Sequence, residues 1–326
     1  MEHMTYFRTT STDPAYNLAF EEYVLSNRTE GNILILWQND NAVIVGRNQN
    51  TSQEIDGAFV AANGIRVIRR NTGGGAVYHD LGNLNYSFIT NEGADRNSFT
   101  EPVVQALQNL GLDACASGRN DILVNGLKVS GTAQQISKGR ILHHGTLLFD
   151  ANSSMISGAL TPDPSKFQSK SVKSVRSRVG NIRPLLARDM TLQEFWQYLE
   201  TSLASSLIPA ELSEDEIQKV LQLKAVKYDT WEWNFGKSPA YELHSKKRFT
   251  GGSLEVHLSV AAGKITGIKL YGDFLAVKPV AILENGLVGC ICRADTLQDA
   301  LNQLPVADCL GGITTAELIE LILDSN

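Results

Sequence analysis

RRNTGGGAVYHDLGNLNYS, residues 69–87, is the stretch on which the reading of this chain turns. Three consecutive glycines, Gly73 to Gly75, follow an arginine pair and precede the alternating segment Leu84, Tyr86, Phe88. Ordering three glycines is costly, because glycine loses more backbone freedom on folding than any other residue. The return is a backbone that takes φ > 0 and lies directly against a ligand. Arginine beside such a loop offers a planar cationic fork suited to carboxylate or phosphate. The segment therefore reads as an anion-contacting loop between strands, for a nucleotide or an activated acyl group. A bare hairpin is the lesser reading, since Asn-Gly or one glycine suffices for a turn. The P-loop string does not follow Gly73. Nor does a helix open at the glycines, as the dinucleotide fingerprint requires.

The surrounding chain has 326 residues, about two domains' worth. It is 43% hydrophobic and 20% charged, with a formal charge of −6. That acidic balance argues against general nucleic-acid binding, which carries a basic excess. No apolar run approaches the roughly 18 residues of a membrane span, and the N-terminus lacks a secretory pattern. A cytoplasmic protein is expected, and the leading MEHMTYF reads in part as an appended stretch. The four cysteines, Cys115, Cys290, Cys292 and Cys309, form no CxxC pair and read as buried free thiols.

Asp13 and Pro14 signal the first helix as cap and first position. Ile33 to Trp37 and Ala42 to Val45 read as strands, Phe99 to Leu110 as a helix. Asp121 to Val124, then Asn125-Gly126, then Lys128 to Ala133 is a strong hairpin signature. Residues 153–185 are serine-rich and basic and read as a surface segment. Helices are expected at Thr191 to Leu207 and Ser213 to Leu223, and Trp231 to Phe249 reads as an interdomain connection. Beyond it, a strand–turn–strand through Ala262-Gly263 and three helical patterns make a small α+β unit. The expected division is residues 1–245 and 246–326.

Lys128, just past the hairpin turn and beside Ser130, Gly131 and Ala133, can meet phosphate and carbonyl oxygens together and offset charge developing in attack. It can equally be an edge lysine placed for solubility; spacing alone leaves both open. Asp121 can accept from a nucleotide amino group, hold Mg²⁺ or cap the turn. His79-Asp80 and His143-His144 do not form a dyad or a metal pair, since adjacent strand residues face opposite ways.

Taken with SGRNDILVNGLKVSGTAQ (117–134), HHGTLL (143–148), NLAFEEYVL (17–25), VGRNQN (45–50) and SVRSRVGNI (174–182), the glycine loop resembles that of the lipoate–protein ligase family. The resemblance covers nearly the whole chain. It implies a large mixed-sheet catalytic domain of the biotin/lipoyl ligase type with a small α+β accessory domain, an α+β protein overall. It implies that ATP and Mg²⁺ activate lipoate to lipoyl-AMP. A lysine of an apo lipoyl domain, on a glycine-cleavage carrier or a 2-oxoacid dehydrogenase subunit, then takes the lipoyl group. The family pattern places ATP and the adenylate against Arg70, Gly75, Ala76, Val77, Tyr78, Asp121 and Lys128. It places lipoate against Lys128, Gly73, Gly74, His79 and Arg47, with Lys128 catalytic. Ser165 to Asn181, carrying Lys170, Lys173, Arg176 and Arg178, is then a candidate lid over the reactive adenylate. Two competing readings remain: an octanoyl or lipoyl transferase working through a Cys115 thioester, and a non-catalytic protein that sequesters lipoate or acceptor domains.

Overall fold

The structure is a computed structural model, and it describes residues 3–49, 51–94, 97–118, 120–160, 179–204, 206–235, 243–261 and 263–324. The strands are β1 (His3–Arg8), β2 (Ile33–Trp37), β3 (Ala42–Val45), β4 (Arg66–Arg69), β5 (Val77–His79), β6 (Asn83–Asn91), β7 (Ala114–Ser117), β8 (Asp121–Val124), β9 (Leu127–Ser137), β10 (Arg140–Leu148), β11 (Ser206–Ala210), β12 (Leu243–Phe249), β13 (Gly252–Ala261) and β14 (Lys264–Gly272). One large mixed sheet runs β11-β1-β2-β6-β10-β9-β8-β7, and a small one runs β4-β3-β5. A third, β12-β13-β14, belongs to the C-terminal part.

Strand β2 shows how the sequence builds the two-sided core. Its residues point alternately to opposite faces. Ile33, Ile35 and Trp37 pack with the helix Pro14–Asn27. Leu34 and Leu36 pack with the helices Asn97–Asn109 and Leu192–Ser202 on the other side. Burial on both faces explains why ILILW reads as an unbroken apolar run. The small sheet divides likewise: Ile44 and Ile68 join the helix at Pro14–Asn27, whereas Val43, Val45 and Tyr78 form a separate cluster behind it. The cavity described below opens between the two sheets.

Local signals were largely obeyed. Asp13 caps the first helix through Ala15 and Tyr16 N–H, with Pro14 opening it. Capping boxes at Thr191/Glu194, Ser213/Glu216 and Thr314/Glu317 start three more helices. The Asn125-Gly126 turn has φ of 51° and 78°, the primed geometry a tight hairpin needs.

Four expectations fail. From His3 onward the leading stretch is not an appendage: β1 sits between β2 and β11, with Met4 and Phe7 buried. The helix expected to Leu207 ends at Ser202, because Ser206–Ala210 pairs in parallel with β1 as an edge strand, the one place Pro209 is tolerated. Trp231 to Phe249 is not merely a connection. Its first part is the helix Trp231–Asn234, packed into the larger domain, and its last part is β12, which spans the expected 245/246 junction. A short helix, Val306–Leu310, was also unforeseen.

The C-terminal part has its own core, with Leu254, Val256 and Leu258 of β13 packed against Leu283, Leu297 and Leu318. It docks on the larger domain through main-chain hydrogen bonds: Gly272 N to Asn48 O at 2.6 Å, Gly74 N to Phe274 O at 3.0 Å and Ile136 N to Val277 O at 3.2 Å.

Candidate active site at the glycine loop

The loop between β4 and β5 is held from below by its own arginines. Arg70 is buried. Its guanidinium donates to Thr72 Oγ1 (2.9 Å), Ile44 O (3.1 Å), Gly73 O (2.6 Å) and Gly75 O (2.9 Å). Arg69 turns to the neighbouring loop and donates to the carbonyls of Gly46, Arg47 and Gln49, and to Thr51 Oγ1. Asn234 Oδ1 in turn fixes the Arg69 amide. Burial pushes both guanidinium groups down to about 10, which leaves them cationic at neutral pH. The arginine forks that the sequence offered to an anion are thus largely engaged by backbone carbonyls. Gly74 takes φ of +89°, and a Cβ at Gly46 would collide with the Gly74 carbonyl. Gly46→Ala is therefore expected to destabilise the fold by about 1–3 kcal/mol, as overpacking does, measurable by urea denaturation.

Above this loop lies a cavity of about 460 Å³. Leu18, Trp37, Ile44 and Val77 supply an apolar part of its wall, and Arg70, Asp121, Lys128 and Arg248 a charged part. Gly74, Gly75 and Ala76 line it from the loop, and Asp273 and Leu275 reach it from the C-terminal domain. Lys128 enters from the start of β9, where a bulge opposite Leu123 re-aims the strand. Its Nζ is 2.7 Å from Asp121 Oδ1, and a Cβ on Gly131 would touch its Cε and Nζ at 3.5 Å. The lysine stem thus runs along the strand surface over Gly131, at a distance where even a Cβ would make only ordinary contact. Gly180 N donates to Lys128 O at 3.0 Å, so the end of the expected lid is anchored beside the lysine. The rest of that lid, with Lys170, Lys173, Arg176 and Arg178, lies outside the described residues.

A chain of buried polar groups underlies the apolar wall. Trp37 Nε1 donates to Ser87 Oγ (2.8 Å), Ser87 Oγ donates to Glu21 Oε1 (2.5 Å), and Glu21 meets His144 Nδ1 at 2.9 Å. His144 Nε2 lies 2.8 Å from Thr72 Oγ1, which accepts from Arg70. One proton assignment satisfies every link: Arg70 donates to Thr72, Thr72 donates to Nε2, and Nδ1–H donates to Glu21. His79 differs. Asn39 Nδ2 donates to its Nδ1 at 3.1 Å, so Nε2 carries the proton, buried in the cavity wall and without a hydrogen-bond acceptor among the described residues. Burial, then the charge of Arg70, pushes His79 down to about 3. The unfolded state takes up a proton below pH 6.5 that the folded state refuses. Stability therefore falls as pH drops from 6.5 toward about 3, by up to ~1.4 kcal/mol per pH unit from this group. His79→Gln is expected to flatten that part of the stability–pH curve.

Of the residues named from sequence, Arg70, Gly74, Gly75, Ala76, Val77, His79, Asp121 and Lys128 line the cavity. Gly73 does not; it faces Phe274 and Ala276 of the C-terminal domain, where a Cβ would find no room. Tyr78 turns away into the cluster behind the small sheet and donates to Asn41 Oδ1. Arg47 lies outside the cavity wall, near the Trp233 ring and the charge of Glu22. Of the cysteines expected to be buried only Cys309 is; Cys290 and Cys292 are half-buried, and Cys115, on the short edge strand β7, is exposed and does not line the cavity, which leaves a Cys115 thioester without a site. Sequence reasoning missed Leu18, Trp37, Asn85, His144 and Leu275. The one available signal was Asn17 and Glu21, polar groups four apart on the apolar face of the first helix.

A mixed-sheet domain whose cavity over a glycine loop carries Arg70, Lys128 and Arg248, with a small α+β domain contributing to its wall, is suited to an acyl-activating ligase. The lipoyl protein ligase A/B catalytic domain family matches residues 13–204, and the bacterial lipoate protein ligase C-terminus family matches residues 238–322. Lipoate-protein ligase LplJ of Bacillus subtilis is 43% identical over 320 residues, 95% of this chain and 97% of that protein. Three solved structures are similar. LipL1 of P. falciparum in complex with lipoate has a TM-score of 0.80 at 25% identity, covering 99% of both chains. The bi-partite lipoate protein ligase of Thermoplasma acidophilum, described with its E2 lipoyl domain, has a TM-score of 0.62 at 31% identity, covering 74% of this chain and 100% of that one. A lipoate-protein ligase A bound with ATP has a TM-score of 0.62 at 30% identity, covering 72% of this chain and 99% of that one. The chain belongs to the lipoate–protein ligase family.

Proposed function

We propose that this protein joins lipoate to ATP as lipoyl-AMP and passes the lipoyl group to a lysine of an apo lipoyl domain. The observation that carries the reading is the placement of Lys128 Nζ in a cavity with both an apolar and a charged wall. The apolar wall of Leu18, Trp37, Ile44 and Val77 suits an alkyl chain. The charged wall suits a carboxylate brought against a triphosphate. In the first step a lipoate carboxylate oxygen attacks the α-phosphorus, and the bond to pyrophosphate breaks with its electron pair leaving on pyrophosphate. Lys128 offsets the charge that gathers there, and Asp121 anchors the lysine until the anions arrive. In the second step the acceptor amine attacks the acyl carbon, loses a proton, and AMP departs.

Arg70 acts in this account through the loop it holds, presenting Gly75, Ala76 and Val77 to the nucleotide. His79 closes the apolar end with Asn85 and Trp37. Magnesium suits the donor set in the way it suits most nucleotide sites, with one carboxylate, here Asp121, and remaining oxygens from phosphate and water. It would supply charge neutralisation at the triphosphate. We assign the catalytic role to the residues ahead of β12 and an accessory role to those from β12 onward. No helix among the described residues is long and apolar enough to cross a membrane; a cytoplasmic location is proposed on composition. Acceptors of the glycine-cleavage carrier or 2-oxoacid dehydrogenase type are proposed on family membership.

The test is intact-mass analysis of an apo lipoyl domain incubated with the protein, lipoate, ATP and Mg²⁺. One added lipoyl group, dependent on ATP and unchanged by Cys115→Ser, is the expected result. Modification only from an acyl-carrier thioester, lost in Cys115→Ser, would replace this reading with the transferase.

A further inference from the structure

Away from the cavity, the first two strands of the C-terminal domain bring three metal-ligating side chains together. His244 of β12 and His257 of β13 are direct cross-strand partners in the antiparallel register. Glu255 lies two residues before His257, hence on the same face of β13. That face is opposite Leu254, Val256 and Leu258, which fill the domain core. His257 Nε2 is 2.6 Å and His244 Nε2 is 3.1 Å from the same oxygen, Glu255 Oε1. The two imidazole rings lie 4.7 Å apart at 63°. All three ligand atoms fall within 4.8 Å of one another, and no other such group of three occurs among the described residues.

We propose that His244, Glu255 and His257 form a Zn²⁺ site that clamps β12 to β13. Two imidazole nitrogens and one carboxylate oxygen are a three-ligand set that zinc accepts, with water or an anion in the fourth position. Ligands about 2.0–2.2 Å from a tetrahedral zinc stand roughly 3.3 Å apart; His244 Nε2, at 3.1 Å from Glu255 Oε1, is near that spacing, and His257 Nε2, at 2.6 Å, has to draw back to reach it. The exposed His244 is free to follow the metal, whereas Glu255 is only 3% exposed and held in place, so the main adjustment is a small shift of the His257 ring. Lys246 Nζ, 3.8 Å from Glu255 Oε2, occupies the carboxylate's second oxygen and favours single-oxygen ligation through Oε1. The His257 ring packs edge-on to Tyr271 at 5.1 Å, which limits its rotation. A cross-strand His pair with a carboxylate on the same face needs no loop to assemble it. The site is separate from the nucleotide cavity, and its effect falls on the stability of the small domain, since a ligand bound only by the folded state stabilises it.

Titration of the metal-stripped full-length chain with ZnCl₂ tests this by calorimetry and thermal unfolding. One zinc per chain is expected, with a raised unfolding temperature for the C-terminal domain and a cobalt adduct showing visible d–d absorption. His244→Asn, at an exposed position that does not threaten folding, is expected to weaken binding at least about tenfold. The double variant His244→Asn/His257→Asn is expected to lose both the binding and the thermal shift, with unchanged circular dichroism in the absence of metal. Equal zinc affinity and stoichiometry in wild type and double variant would overturn the proposal. So would a wild type that binds no zinc, which would make the cluster a set of histidine–carboxylate ion pairs only.

Discussion

Lys128→Ala is expected to reduce lipoate-dependent pyrophosphate release by two to three orders of magnitude, roughly the loss seen on removing one preorganised electrostatic stabiliser. The lysine sits at the cavity mouth with its charge beside Asp121 and its stem against Gly131. Its side chain is 34% exposed, so alanine leaves no buried void, and the urea midpoint is expected to stay close to that of the wild type. Lys128→Arg is not a rescue. The planar fork spreads its charge over a wider group and cannot set one compact ammonium beside Asp121 and the reacting oxygens. Near-normal pyrophosphate release from a folded Lys128→Ala protein would remove this residue from the chemistry.

Arg70→Ala is expected to do two things at once, because the guanidinium is built into the loop it serves. Alanine strands the buried carbonyl of Gly73 and the half-buried carbonyl of Gly75, while Thr72 keeps its contact with His144. At about 1–3 kcal/mol for each unsatisfied group, a net destabilisation of about 3 kcal/mol follows, seen as a lower urea midpoint. Adenylation is expected to fall nearly to background even where the variant remains folded, since the backbone of Gly75 and Ala76 is no longer held. The sequence-based expectation was narrower: weaker use of ATP through a lost cation–phosphate contact. The two are separable. A variant with an unchanged urea midpoint and only a raised KM for ATP would show that the fork serves the nucleotide, not the loop.

These residues also show where sequence alone reaches its limit. The glycine loop, the Asn125-Gly126 hairpin and the first helix were legible because each is specified by neighbours within a few residues. The direction of a side chain on a three-residue strand was not. His79 and Tyr78 are adjacent, yet one lines the cavity and the other turns into the cluster behind it. Which is which depends on the side of the small sheet facing the large one. Strand β11 was hidden because it forms only by pairing with β1 across about 200 residues of chain. The polar relay from Trp37 through Ser87, Glu21 and His144 to Thr72 joins five separate elements, and no local pattern brings them together. Asn234, in a stretch read as a linker, proved to hold Arg69 for the same reason.

The most direct test of the central claim is pyrophosphate release in a single turnover, with the protein, ATP, Mg²⁺ and lipoate but no acceptor domain. A burst of about one pyrophosphate per active site, absent without lipoate and absent in Lys128→Ala, is the result expected of a cavity that forms and holds an acyl-adenylate. Lipoate-independent release, or no release at all from a wild-type protein that modifies its acceptor, would contradict it.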